Sequence, residues 1–492
     1  MSLRFASGPS STKFAVELLG PYLPDLKLGA PGEWRQNYQR AFVELTRLEA
    51  QTSETRLQAA LLEAIGASIL DDAGRSITQL VKQGWSQRQL VETVVVSGMG
   101  ETSRLATVGK PTADALVHNG LAEPRIADDL SAYDDWVAAH DEAPTAGELL
   151  LAIGANAELS LVADWLAIGG IAAAIARQNS TKWSALIAQA RESGGTLLVP
   201  VLASQAAGLD LASIDDEQLA QIAGLDLQAD LAAIAGWVRS IADAHIDKRI
   251  VALGTVYAPG KNQILAAAAQ DALLARLTDE LPPARLVLGW LATPLDSVAL
   301  PREVFEASIA AHAKRGLGRR IRDLLLRPVG GPLAPHPEAT LTSANDRELA
   351  IVDFSAVRQG SSYLLAKRIE RWRAQVAQAA GHNVWFQVAP PAQTHSTLDY
   401  RVVRAAFRGA GSFGVTTFVP WMLRDLLTAV LIGHLKGEAK QPVNQSAKQP
   451  VEPRALLDSA IHGGVWRVAY DPQSIWSPAA ILGWPELLRG GK

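Results

Sequence analysis

From Glu148 onward the chain alternates short, unbroken apolar runs with longer stretches whose apolar residues recur every three or four positions. The runs are ELLLAIGA, IAAAIAR, TLLVPVLA, RIVALGTV, ARLVLGWLA, LAIVDFSA and VWFQVAPP. Runs of about four to eight apolar residues without alternation suit parallel strands covered on both faces. Between them, STKWSALIAQARESGG, LQADLAAIAGWVRSIAD, NQILAAAAQDALLARLTDEL, REVFEASIAAHAKRGLGRRIRDLLL and SSYLLAKRIERWRAQVAQAAG carry the helical period. This order predicts an α/β protein with a doubly wound parallel sheet. Seven such runs form either one large sheet with an insertion around residue 250, or two fused modules spanning 148–335 and 340–435.

Residues 1–143 lack such runs and show helical spacing in WRQNYQRAFVELTRLEA and ETRLQAALLEAIGASILDDAGRSITQLVKQ, so they predict an all-helical N-terminal domain. A further helix is expected to start at Ser86, with Gln89 completing a capping box. Pro144 and Gly147 in AHDEAPTAG mark the boundary, and the sheet domain is expected to run over 148–435. GEAKQPVNQSAKQPVEP repeats AKQPV without apolar periodicity, which predicts a flexible loop over 436–453. VWRVAY is strand-like, giving a C-terminal strand and tail over 454–492.

Composition narrows the function classes. Lys+Arg total 46 against 50 for Asp+Glu, so the chain as a whole lacks the basic excess of a nucleic-acid or anionic-membrane binder. Cys is absent, which removes disulfides, thiolate nucleophiles and Cys-ligated zinc, and suits a reducing cytoplasm. His312, His336, His382, His395 and His462 form no metal-binding spacing. The longest apolar region is broken by Glu158 and Asp164, so no membrane span is expected.

The most informative constellation is LAIVDFSAVRQGSSYLLAK. A strand ends in Ser355, and the following helix presents Tyr363 and Lys367 four residues apart, on one face. An ammonium beside a phenol favours the phenolate, so Lys367 is expected to lower the pKa of Tyr363 towards that of a working acid/base. Tyr257 and Lys261 repeat the spacing, but Pro259 and Gly260 lie between them and predict a turn before the helix. Trp385 and Trp421 are candidates for lining an acyl pocket.

Strand, serine, Tyr-x-x-x-Lys helix and a strand ending in VWFQVAPPAQTHS together resemble the short-chain dehydrogenase/reductase superfamily, in particular the ketoreductase domains of type I fatty acid synthases. LLLAIGANAELSLVADWLAIGGIAAAIAR and GSFGVTTFVPWMLRDLL extend the resemblance over about residues 148–435. It implies a Rossmann-like fold and NADPH-dependent reduction of a β-ketoacyl or similar substrate, free or carrier-bound. Tyr363 would then be the proton donor, Lys367 its partner and Ser355 the carbonyl-positioning hydroxyl, with Ser361 or Ser362 as substitutes. Gly154 and Asn156 would line the cofactor loop, and Arg177 would meet a 2′-phosphate. In GANAELS, Ala157, Glu158 and Ser160 stand where more glycine is expected, and a glutamate beside a diphosphate costs about 1 kcal/mol. That departure motivates a second expectation, a catalytically silent reductase-like scaffold. Its N-terminal helices would dock it to another copy or to a partner synthase of lipid or polyketide assembly.

Overall fold

The computed structural model describes residues 2–52, 54–87, 90–103, 105, 109–330, 333–335, 340–343, 347–355, 360–437 and 455–489. Its strands are β1 (Arg4–Phe5), β2 (Ile69–Leu70), β3 (Val91–Ser97), β4 (Glu148–Ile153), β5 (Ile171–Ile175), β6 (Thr196–Leu202), β7 (Arg249–Gly254), β8 (Leu286–Ala292), β9 (Ser297–Pro301), β10 (Thr340–Thr342), β11 (Glu348–Asp353) and β12 (Asn383–Val388). Seven of them form one sheet in the order β12-β8-β7-β4-β5-β6-β3. All neighbours are parallel except β3, which runs antiparallel to β6.

Winding starts at β4, moves through β5 to β6, returns to the other side of β4 as β7, and continues through β8 to β12. This is a doubly wound α/β sheet, and its order is compatible with a Rossmann-like fold. Period-2 alternation assigns successive side chains to opposite cores. Leu149, Leu151 and Ile153 of β4 enter one core, while Leu150 and Ala152 enter the other. Helices Leu231–Ala244, Lys261–Glu280 and Gly360–Ala379 contribute to the first core, and Val162–Ala167, Ser180–Glu192 and Pro420–Gly437 to the second.

Six of the expected strands lie in this sheet, and the seventh does not. LAIVDFSA is β11, which pairs antiparallel with β9 and β10 in a separate three-stranded sheet. Its apolar run is buried because helices Pro31–Ala50 and Arg302–Ala313 both pack on β9 and β11. The edge of β8 is taken instead by β12. The parse into two modules gives way to a single sheet, with the insertion between β8 and β12 rather than around residue 250.

The N-terminal region is not purely helical either. LVETVVVS supplies β3, an edge strand in which only Val91 and Val96 are buried and most other positions are exposed. Ser86 ends helix Ile77–Trp85 instead of starting one, and the capping box belongs to Ser76 and Gln79; Gln89 lies outside the described residues. Helices from Ser11 to Trp85 join the first core, whereas Ile126–Ala139 packs on Pro420–Gly437 in the second. VWRVAY forms a short 3-10 turn, Val465–Arg467, followed by helix Pro472–Arg489, so the expected C-terminal strand is absent from these described residues. Residues 438–453 of the expected loop lie outside them. Among the described residues no helix is long and apolar enough to cross a membrane.

Candidate functional site

The site builds up at the carboxyl edge of the sheet. Because β12 is parallel to β8, helix Gly360–Ala379 descends between them and begins at that edge. Its residues Tyr363 and Lys367 are one turn apart, as the spacing requires. The Lys367 Nζ donates to the Leu291 carbonyl of β8 at 3.0 Å and to Glu370 Oε2 at 2.8 Å. It also stands 5.9 Å from the centre of the Tyr363 ring. The Thr293 side chain, just past the end of β8, is near enough to Tyr363 to favour its phenolate, and accepts from the Leu295 amide at 3.1 Å.

Charge in this cluster departs from the sequence expectation. Burial pushes the Tyr363 phenol above its ordinary pKa, and the Glu370 carboxylate adds to the rise; the opposing field of Lys367 is outweighed. Tyr363 is therefore a phenol with its proton held, not a ready phenolate. Burial works against the Lys367 ammonium, but the Glu370 carboxylate and Tyr363 overcome it and keep the lysine charged.

Ser355 is not part of this group. It is buried at the end of β11, where its Oγ meets Gln39 Nε2 at 2.9 Å and its amide donates to Asp353 Oδ1 at 2.9 Å. Burial lifts the Asp353 carboxyl to about 6, and Asp296 and Asp471 add to the rise. The strand-end hydroxyl nearest in effect to Tyr363 is that of Thr293, which the sequence analysis does not single out. The signal was present in LVLGWLAT, an apolar run closing on a hydroxyl residue. Ser362 Oγ bonds Ser11 Oγ at 3.2 Å.

Gly154, Asn156 and Arg177 come together at the same edge, beside the ends of β4 and β5. Gly154 has φ +97°, and a Cβ there would lie 2.8 Å from the Thr255 carbonyl carbon, so the turn needs glycine. The amides of Gly154 and Ala155 both donate to Ile175 O, while those of Asn156, Glu158 and Leu159 have no backbone acceptor among the described residues. Asn156 Nδ2 and Ser160 Oγ are buried without a partner. Arg177 is exposed, and Lys182 Nζ donates to Asn156 O at 3.2 Å. Glu158 is held aside, accepting from the His395 amide at 2.8 Å and contacting its Nδ1 at 3.1 Å. Free amides, orphaned polar atoms and two cations fit the phosphates of a dinucleotide.

The remaining candidates fall elsewhere. Gly260 has φ +59° and helix Lys261–Glu280 starts after it, as expected for a turn at Pro259 and Gly260. Trp385 is buried in the second core, and Trp421 is 56% exposed, so the two do not line one pocket. His462 is buried, 3.3 Å from Glu123 and stacked on Trp466. Among the described residues no group of three or more His, Asp or Glu is placed to hold a metal ion. No protein-family model matches the chain, and no curated protein matches it.

Proposed function

We propose that this protein is a nicotinamide-nucleotide-dependent reductase of a carbonyl substrate, with NADPH as the cofactor and a β-ketoacyl thioester as the substrate class. The observation that carries the reading is the buried Tyr363–Lys367 pair, with the ammonium 5.9 Å from the centre of the phenol ring and tied to the end of β8, on the same sheet edge as the Gly154 loop. When bound, the nicotinamide supplies hydride to the carbonyl carbon. The chain's own residues handle the oxygen. Tyr363, kept protonated by burial, gives its proton to the oxygen as charge develops, with Thr293 close by. Lys367 stabilises the phenolate left behind. Arg177 and Lys182 favour the phosphate end of the nucleotide, and Arg177 favours a 2′-phosphate.

The test is a titration with NADPH and NADH, read by nicotinamide fluorescence and thermal melting. Saturable NADPH binding, weakened in Arg177→Ala, and thioester-dependent NADPH oxidation are expected. Tyr363→Phe should lower turnover by about 100-fold or more without lowering the melting temperature. Failure of a folded sample to bind either nucleotide, or full activity in Tyr363→Phe, overturns the assignment.

One observation favours a second reading, that of a catalytically silent scaffold serving an acyl-assembly partner: Glu370 engages the ammonium that would otherwise act on the phenol. In that case neither nucleotide shifts the melt.

A further inference from the structure

Helix Leu317–Gly330 is turned inside out relative to a surface helix of a globular protein. Its acidic residue, Asp323, points inward and is buried. There it accepts from Arg315 at 3.0 Å, from Arg322 at 2.8 Å and from the Tyr470 hydroxyl at 3.0 Å. Leu326 is the buried apolar residue on the same side. The outer face carries Leu317, Ile321, Leu324 and Leu325, exposed by 75%, 51%, 64% and 73%. Positions 317, 321, 324 and 325 follow the i, i+4, i+7, i+8 pattern of one continuous stripe.

Cations border this stripe. The segment from Lys314 to Arg327 holds Lys314, Arg315, Arg319, Arg320, Arg322 and Arg327 against the single acid Asp323. Lys314, Arg319, Arg320 and Arg327 are exposed, and none of them has a carboxylate partner among the described residues. The overall charge of −4 therefore hides a strongly basic apolar strip. Leucines in water flanked by uncompensated arginines match an anionic lipid surface, where the apolar side chains enter the acyl boundary and the guanidinium groups meet the headgroups. A second copy of the chain is a poorer occupant, because pairing two such strips opposes like charges.

We propose that helix Leu317–Gly330 docks the protein reversibly on an anionic membrane surface, lying in the interface without crossing it. This inference is independent of the reductase reading. The experiment is flotation of the full chain with vesicles of phosphatidylcholine alone, and with vesicles of seven parts phosphatidylcholine to three parts phosphatidylserine. Binding to the phosphatidylserine vesicles is expected, at least about 10-fold stronger than to the neutral ones, and weakened on going from about 0.1 M to about 0.5 M salt. Leu324→Gln with Leu325→Gln, and separately Arg319→Glu with Arg320→Glu, should each reduce binding by about 10-fold with unchanged circular dichroism. Both pairs are exposed, so neither disturbs the core. No binding to anionic vesicles overturns the proposal, as does binding that both variants retain. So does lipid-free self-association, or capture of an acidic protein, that accounts for the stripe and is lost in the leucine variant while vesicle binding is absent.

Discussion

Lys367 and Arg368 are neighbours on one helix, yet they head two buried clusters of opposite character. Arg368 is fully buried and bonds in every direction: to Asp296 at 3.1 Å, Glu49 at 3.2 Å, Thr46 Oγ1 at 2.6 Å and the Ser297 carbonyl at 3.0 Å. Arg371 and the Trp372 indole complete the shell around Glu49 at 2.9 Å and 2.7 Å. Two cations face two carboxylates, and the Arg368 and Arg371 guanidinium groups pull the Glu49 carboxyl below its ordinary pKa against the opposing pull of burial. Lys367 belongs to a leaner group: one ammonium, one carboxylate whose Oε1 has no partner, and a phenol with its proton retained. In the Arg368 network the Arg371 Nε alone of these charged groups goes without a partner, and the rest holds helix Pro31–Ala50 to the sheet domain. The Lys367 group keeps a protonated phenol and an unpartnered carboxylate oxygen, and it is on this group that the proposed chemistry draws.

Breaking the Arg368 cluster should have the largest effect. Glu49→Ala leaves two buried guanidinium groups to share the one Asp296 carboxylate and is expected to destabilise the fold by about 3–5 kcal/mol, read by denaturant unfolding. Tyr363→Phe, by contrast, should leave that midpoint nearly unchanged. Glu370→Gln sharpens the comparison from the other side. It releases Lys367 to act on the phenol, so the Tyr363 pKa should fall, seen as tyrosinate absorbance appearing at lower pH and missing when Tyr363→Phe is added. Because Lys367 keeps the Leu291 carbonyl, the stability cost should be smaller, about 2 kcal/mol.

The last effect expected concerns a group that gives up its charge, and it is nil at neutral pH and shows only on acidification. Burial depresses the His434 pKa to about 3, and Arg125 and Arg249 repel its proton further; the ring meets Asn383 Oδ1 at 2.8 Å. The unfolded chain binds this proton near pH 6.5 and the folded chain does not, so the unfolded state holds more protons between the two values. Its contribution to stability is thus present above about pH 6.5 and declines on acidification towards pH 3, by at most about 1.4 kcal/mol per pH unit. His434→Gln should flatten that part of the stability–pH curve relative to the parent.

Much of the sheet was legible because a parallel strand writes itself as an unbroken apolar run, and β4 to β8 and β12 do so. LAIVDFSA and VETVVVS were exchanged in the reading for one physical reason. A run reports that a strand is covered, not which element covers it, and VETVVVS stands alone in a region otherwise written in helical spacing. The site was half legible. Tyr363 and Lys367 follow from helical spacing, and the Glu370 pairing is one more i, i+3 relation on that face. Thr293 was hidden because the insertion of β9 to β11 moved it 70 positions from Tyr363, leaving Ser355 closer in sequence but in another sheet. The lowered phenol pKa was misjudged because sequence displays the nearby cation but not the depth of burial.

The antiparallel edge strand β3 has a consequence for how the protein is made. On the ribosome it emerges well before β6, the strand it will cover, so a partner for that edge exists by the time Thr196–Leu202 is synthesised. A fragment beginning at Glu148 would lack that partner and present Leu197 to Val201 as an open template for intermolecular pairing, and so for aggregation. The leading segment thus acts as a built-in chaperone for the sheet, and expression of the sheet region alone is a poor route to soluble protein.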